Sequence, residues 1–415
     1  ERIREELRHG KAVKTAVDLG YKHAMSAIID ANVTHFASAV ILYMFGTGPI
    51  KSFGTTLGLG ILTSLFTAIF ISRLIISRRL EKGKPISFWH DWNKNIFANA
   101  NYDSMGRHRM FYANSAVVIL AGVVSMFTRG FSQGVDFSGG RQYVVKFHEP
   151  VPVDDVKASL TKAFVTDDGV EAAVTAKTYG GGSQVMITTN FMVFDKDRRT
   201  DSIAEAKLRD GLSGMGGGSE VIASRKVDPT ISDDIRSGAV WAVSLTLLFM
   251  FVYIAVRFRN WQFGIGAVLA LVHDALIVLS LYSLLHGLLP FSLELDEHFI
   301  AAVLTVIGYS INDTVVVFDR IREYLQDHRR EPWPTVFNKA INSTLGRTIN
   351  TALTVLLVLL VIFLLGGVTI QGFVFAMLVG IAVGTYSSIF IASAVVVDLH
   401  KDGVAESVPQ KPVTA

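Results

Sequence analysis

Asp313 stands inside an apolar run that extends from Phe299 to Phe318, directly after Asn312. Arg347 opens a second such run and is followed by Thr348 and Asn350, and His273 and Asp274 lie near the middle of a third. An ionisable side chain at bilayer depth costs around 2.5–3.5 kcal/mol on insertion scales and by default marks a functional site. The chemistry these types support is proton transfer. A carboxyl group in an apolar place favours its neutral form, and a guanidinium brought near favours the carboxylate, so relative movement loads and unloads a proton. In this reading Asp313 takes and releases protons beside Asn312 while Arg347 biases its charge. His273, Asp274, Thr348 and Asn350 act in support. Two plainer readings use the same residues. Asp313 and Arg347 form a static bridge between helices, or Arg347 is an interfacial arginine whose stem lies along apolar surface. His273 and Asp274 read equally as a structural hydrogen-bonding pair.

Long apolar elements must position these groups. The 415 residues are 50 % hydrophobic and only 18 % charged, with a mean hydropathy of +0.40, whereas soluble chains carry roughly 25 % charge. A net charge of +3 suggests no nucleic-acid partner, and the absence of cysteine excludes disulfides and thiolate chemistry. No nucleophile–base set, metal-ligand cluster or nucleotide motif stands out, so neither an enzyme nor a cofactor is expected. The opening ERIREELR reads as mid-helix without an initiator methionine, as expected of the C-terminal part of something longer.

Apolar runs lie at about Val33–Phe45, Gly54–Ile76, Tyr112–Phe127, Gly238–Val256, Trp261–Leu285, Phe299–Phe318, Ile349–Leu365 and Phe373–Val397. A spanning helix takes about 20 residues, so the first and third are extended into their polar flanks; re-entrant or interfacial segments are the alternative there. Arg78, Arg79, Lys82, Lys84, Lys94, Arg107 and Arg109, then Arg257 and Arg259, then Arg320, Arg322, Arg329, Arg330 and Lys339 fall on one side if eight spans alternate. By the positive-inside rule that side is the cytoplasm, with both chain ends. Residues 129–235 then lie outside. Gln142–Phe147, Ala172–Tyr179, Gln184–Asn190 and Glu220–Val227 read as strands, the middle two flanking a Gly180-Gly181-Gly182 turn. Val153–Phe164 and Asp201–Leu212 read as helices. That β-α-β-β-α-β order predicts a small α+β ferredoxin-like domain.

The chain also repeats itself. Shifted by 320 residues, FGTGPIKSF (Phe45–Phe53) meets LGGVTIQGF (Leu365–Phe373), and Ile69-Phe70-Ile71 meets Ile389-Phe390-Ile391. ERIREE (Glu1–Glu6) meets DRIREY (Asp319–Tyr324) at a shift of 318. Duplicated halves of like orientation are a transporter plan, and by this arithmetic four spans precede Glu1. Gly380/Gly384 and Gly54/Gly58 suit close helix packing.

GVDFSGG (Gly134–Gly140), VIGYSINDTVVVFDRIRE (Val306–Glu323), STLGRTINTALT (Ser343–Thr354) and the His273-Asp274 pair closely resemble SecF, and residues 1–77 resemble the C-terminal end of SecD. The chain is thus similar to the SecD/SecF family of the RND superfamily, as a fused SecD–SecF fragment. The resemblance implies an α-helical polytopic bundle with parallel repeats. It divides the chain into a SecD-like end (1–77), a cytoplasmic linker (78–111), a first SecF-like span (112–128), a periplasmic domain (129–235), five further spans (236–399) and a tail (400–415). It implies an inner-membrane accessory component of the Sec translocase that uses the proton motive force to promote preprotein translocation. Its partners would be the SecYEG channel, YajC, YidC, SecA-driven preproteins and membrane lipid. The family places a functional aspartate at Asp313 and an arginine at Arg347. A proton-driven exporter of small hydrophobic molecules and a non-transporting translocon scaffold are the competing functions.

Overall fold

The helices outrun the apolar segments that announce them. The computed structural model describes residues 2–46, 48–84, 86–89, 100–166, 169–179, 183–195, 199–215 and 218–400. It opens with α1 (Arg2–Arg8) and α2 (Val13–Phe45), then α3 (Gly48–Phe66), which passes through a π-turn at Thr67–Ile71 into α4 (Ser72–Glu81). The next helix is α5 (His108–Thr128). A small domain follows: α6 (Val135–Ser138), β1 (Gly140–Phe147), α7 (Val153–Ala163), β2 (Val174–Thr178), β3 (Gln184–Thr189), α8 (Arg199–Ser213) and β4 (Ser219–Val227). The chain then returns to long helices: α9 (Pro229–Phe258), α10 (Trp261–Leu285), α11 (Glu297–Asp327), α12 (Trp333–Leu365) and α13 (Val368–Ser387), which runs through a second π-turn, Ser388–Ala392, into α14 (Ser393–Leu399). Among the described residues, eight helical segments are long and apolar enough to cross a membrane. The shortest has 21 residues, so the runs at Val33–Phe45 and Tyr112–Phe127 belong to helices of spanning length. Local chemistry fixes the ends: Asn260 caps α10 by accepting from Gln262 N at 2.9 Å, and Asp296 caps α11 by accepting from Phe299 N at 2.7 Å.

The small domain has the β-α-β-β-α-β order and the antiparallel sheet order β2-β3-β1-β4, which makes it ferredoxin-like. Tyr143, Val145 and Phe147 of β1 and Val185 and Ile187 of β3 pack against Leu160 of α7 and Leu208 of α8. Alternation along the strands leaves the other sheet face, with Gln142, Val144 and Met186, away from those helices. Gly139 and Gly140, at φ +66° and +129°, start β1, and a Cβ on Gly140 would lie 2.7 Å from Thr189 O. Only glycine fits there. The Gly180-Gly181-Gly182 segment, Lys94 and residues 401–415 lie outside the described residues.

α11 forms the axis of the bundle: 78 % of its most apolar window is buried, and it packs against α2, α10, α12 and α13. The repeat is visible in three dimensions. α2 and α12 both have 33 residues and start and end 320 apart. Ala16, Val17, Gly20 and Tyr21 are buried, as are their equivalents Val336, Phe337, Ala340 and Ile341. The π-turns fall within one residue of the same register. α1 lies against the end of α11, where Arg2 reaches Glu323 at 3.3 Å and Arg320 reaches Glu5 at 3.1 Å. At the shift of 318 these two contacts exchange, which is the signature of a two-fold relation between the halves.

Candidate functional site

Asp313 is 5 % exposed in the middle of the bundle. Its helix packs closely against α13: an added Cβ on Gly380 would lie 2.3 Å from Val306 Cγ2, and one on Gly384 2.9 Å from Ser310 Cβ. Close small-residue packing of this kind brings Thr385 beside the carboxyl group, with Oγ1 3.4 Å from Asp313 Oδ2, while the same hydroxyl has a nearer acceptor in its own turn, Ile381 O at 2.9 Å. Arg347 acts on Asp313 through its charge. Thr348, next to it, is buried at 2 % exposure. Arg347 and Asn350 face a cavity of about 1140 Å³ that is also walled by Arg2, Arg320 and Asn342. A buried acid on α11 and a cation lining a water-sized cavity on α12 thus lie on neighbouring helices.

Asn312 is half-buried and shares a helix side with Gly308, spaced four residues away. A Cβ on Gly308 would lie 3.3 Å from His35 Cδ2 of α2, so Asn312 belongs to the α2 side and Asp313 to the α13 side. His273 and Asp274 form a separate chain. Asp274, wholly buried, accepts from Ser310 at 2.6 Å and Ser387 at 2.9 Å on Oδ2, and its Oδ1 lies 3.0 Å from His273 Nδ1. His273 Nε2 lies 2.8 Å from Ser115 Oγ of α5. Donation from Nδ1 to the carboxylate leaves Nε2 of a neutral ring to accept from the serine. This chain spans α5, α10, α11 and α13. It approaches Asp313 through two shared elements: Ser310 and Asp313 on α11, and Thr385 and Ser387 on α13, just before the π-turn. π-turns of this kind recur at functional sites.

Ser115, Ser310, Thr385, Ser387 and His35 are the members that the sequence does not single out. Hydroxyls in apolar helices usually bond their own backbone, as Thr351 does with Arg347 O at 2.8 Å. Only tertiary packing tells the others apart. Among the described residues no group of three or more His, Cys, Asp or Glu could hold a metal ion.

Residues 1–82 and 207–402 match the family described as protein export membrane protein SecD/SecF, C-terminal, and residues 124–151 match the SecD/SecF GG motif. The protein translocase subunit SecF of Rhodothermus marinus is 42 % identical over 311 residues, covering 75 % of this chain and 97 % of that protein. The protein translocase subunit SecDF of Thermus thermophilus is 35 % identical over 402 residues, 96 % of this chain and 51 % of that one. The crystal structure of SecDF, a translocon-associated membrane protein from Thermus, superposes with a TM-score of 0.81 at 34 % identity, over 96 % of this chain and 52 % of that one. The chain therefore spans nearly all of the SecF relative and about half the length of the SecDF relatives.

Proposed function

This chain belongs to the SecD/SecF family of protein export membrane proteins, and from that premise we propose that it serves an accessory subunit of the Sec translocase in which proton movement promotes preprotein translocation. It is a multi-pass membrane protein with eight apolar helices. The observation that carries the proposal is Asp313, an acid buried at the bundle axis beside the Thr385 hydroxyl, with Arg347 lining a cavity on the neighbouring helix α12. One proton crossing 100 mV releases about 2.3 kcal/mol, enough to shift the balance between two arrangements of packed helices. Asp313 holds the proton, Arg347 sets when it leaves, and the Thr385 hydroxyl lies beside the carboxyl group. Thr348 and Asn350 shape the cation's surroundings, and Asn312 contacts the α2 side. His273 and Asp274 support the relay through α11 and α13.

Orientation follows the basic loops. The cavity beside Arg347 opens to the cytoplasm, and the ferredoxin-like domain, within 129–235, is periplasmic. The divisions at 77, 111, 128, 235 and 399 separate the parts that this model of function uses. Working partners are the SecYEG channel, YajC, YidC and preproteins delivered by SecA, in keeping with the translocase names of the relatives.

The test is Asp313→Asn in the full-length protein. Loss of proton-dependent completion of translocation, at normal protein level, is the expected result. Unchanged secretion at normal level removes Asp313 from the mechanism. Normal secretion with new sensitivity to hydrophobic drugs points instead to export of small molecules.

A further inference from the structure

Where the small domain meets the bundle, the two are joined by charge. Gly134 N donates to Leu295 O at 2.9 Å and Leu295 N to Ser132 O at 2.8 Å, which ties the segment before α6 to the α10–α11 connection. Lys177 of β2 pairs with Glu294 at 2.9 Å, and Gln142 of β1 donates to Glu294 Oε2 at 3.4 Å. Arg225 of β4 pairs with Asp136 at 2.8 Å, and Asp136 in turn accepts from Glu297 N at 3.3 Å. All three sheet residues point from the face that α7 and α8 leave uncovered. Between that face and the bundle lies a cavity of about 310 Å³, lined among others by Gln142, Arg225, Glu294, Asp296 and His298.

The charges here do not balance. Four carboxyl groups (Asp136, Glu294, Asp296 and Glu297) face two permanent cations, Arg225 and Lys177, with His298 alongside. Glu297 is 2 % exposed, close enough to Asp136, Asp296 and Arg225 to feel their charges, and its Oε2 has no hydrogen-bond partner among the described residues. A buried carboxyl oxygen without a donor calls for a proton or a water.

We propose that this junction is a second proton site, and that proton uptake there clasps the ferredoxin-like domain onto the end of α11. The geometry of the junction carries the clasp by itself; its part in a proton-driven cycle rests on the function proposed above. Glu297 and Asp313 lie on one continuous helix, about 24 Å apart at 1.5 Å per residue. Burial, with Asp136 and Glu294 adding to it and His298 opposing, pushes the Asp296 carboxyl up to about 6. A carboxyl raised in the docked state is penalised above that pH, and the penalty fades as pH falls toward its ordinary value near 4. Docking therefore tightens on acidification from pH 8 to 5. Below pH 4 the Lys177–Glu294 and Arg225–Asp136 pairs lose their charge and the clasp weakens again.

The experiment uses the full-length protein in lipid nanodiscs, cleared of other cysteines and spin-labelled at Glu220→Cys and Leu288→Cys. Both positions are exposed, one on β4 and one in the α10–α11 connection. The docking constant read from the distance distribution should rise about tenfold from pH 8 to pH 5. Asp296→Asn keeps an N-cap of similar quality, so the helix start survives, and combined with Glu297→Gln, which removes the other buried carboxyl, it should flatten the response to within about twofold. Arg225→Gln should lower the docked fraction at both pH values. Asp313→Asn should leave the response intact, which separates failure of the clasp from failure of the relay. An unchanged distribution in the unsubstituted protein between pH 8 and 5, or a full response in the double variant Asp296→Asn, Glu297→Gln, overturns the proposal.

Discussion

α2 and α12 share length, register and buried corner, yet do opposite things with polar residues at the same height. Residue 27 is alanine where its equivalent is Arg347, and residue 30 is aspartate where its equivalent is Asn350. In α2, Asp30 accepts from Tyr253 OH and from Arg257 Nε, each at 2.8 Å, so its charge is consumed in tying α2 to α9. In α12, Arg347 and Asn350 face a cavity, and the charge of Arg347 reaches across to Asp313. A duplicated backbone has thus kept its packing frame while its side chains diverged. One copy closes an ion pair with α9; the other places a cation on a cavity wall.

The comparison breaks most visibly if Arg347 is given the residue of its twin. Arg347→Ala should reduce proton-dependent translocation by about a hundredfold, or ~2.7 kcal/mol, in vesicles containing the full-length protein. Arg347 lines the cavity and is exposed to it, so its loss should lower the melting temperature less than the loss of Asp30 does. A large loss of stability with activity retained per folded molecule would make it a strut like Asp30. The converse change, Asp30→Ala, should lower stability by about 2 kcal/mol, because Arg257 and Tyr253 lose their charged acceptor. Thermal unfolding in detergent reads this. The proton-dependent step should survive at temperatures where the protein stays folded.

How much of this can be read from the sequence differs between frame and site. Trp261–Leu285 is legible to the residue because α10 is apolar along its whole length. α2 is not, because Lys14, Asp18, Lys22 and His23 end the hydropathy signal while the backbone ladder continues to Val13. Asp313, Arg347, His273 and Asp274 declare themselves as ionisable groups among hydrocarbon. Ser115, Ser310, Thr385 and Ser387 do not, since nothing local separates a hydroxyl that meets a carboxylate from one that bonds its own turn. Asp136, Glu294 and Asp296 pass for ordinary loop acids until the sheet is seen to close over them.

Gly384 and its equivalent Ser64 sharpen the comparison within the next pair of helices. Gly384 lets α13 approach Ser310 and Asp274, whereas Ser64 is exposed. Gly384→Ala should cost about 1.5 kcal/mol from overpacking against α11 and should weaken the proton-dependent step by displacing Thr385. Ser64→Ala should change stability by less than about 0.5 kcal/mol. Equal effects at the two sites would mean that α13 gains nothing from its close approach.

The smallest effect tests the two-fold relation itself. Arg2–Glu323 and Arg320–Glu5 are the same contact made twice, and each arginine also pairs within its own helix, Arg2 with Glu5 and Arg320 with Glu323. Half-exposed pairs of this kind contribute only about 0.5 kcal/mol each. Arg2→Gln and Arg320→Gln should therefore destabilise by similar small amounts. Since the four groups form one network, the double variant should lose less than the two single losses added together. Burial opposes the charge on Glu5, but Arg320 and Arg2 outweigh it and hold the carboxyl below its usual range. A lowered acid contributes its stability above its ordinary value near 4.3 and loses it as pH falls further. The difference between each variant and the parent should thus be constant from pH 8 to about 5 and should shrink below 4. Unequal single losses would show that the pairing is symmetric in geometry but not in energy, and that divergence between the halves extends from the polar sites of α2 and α12 to the corner that joins them.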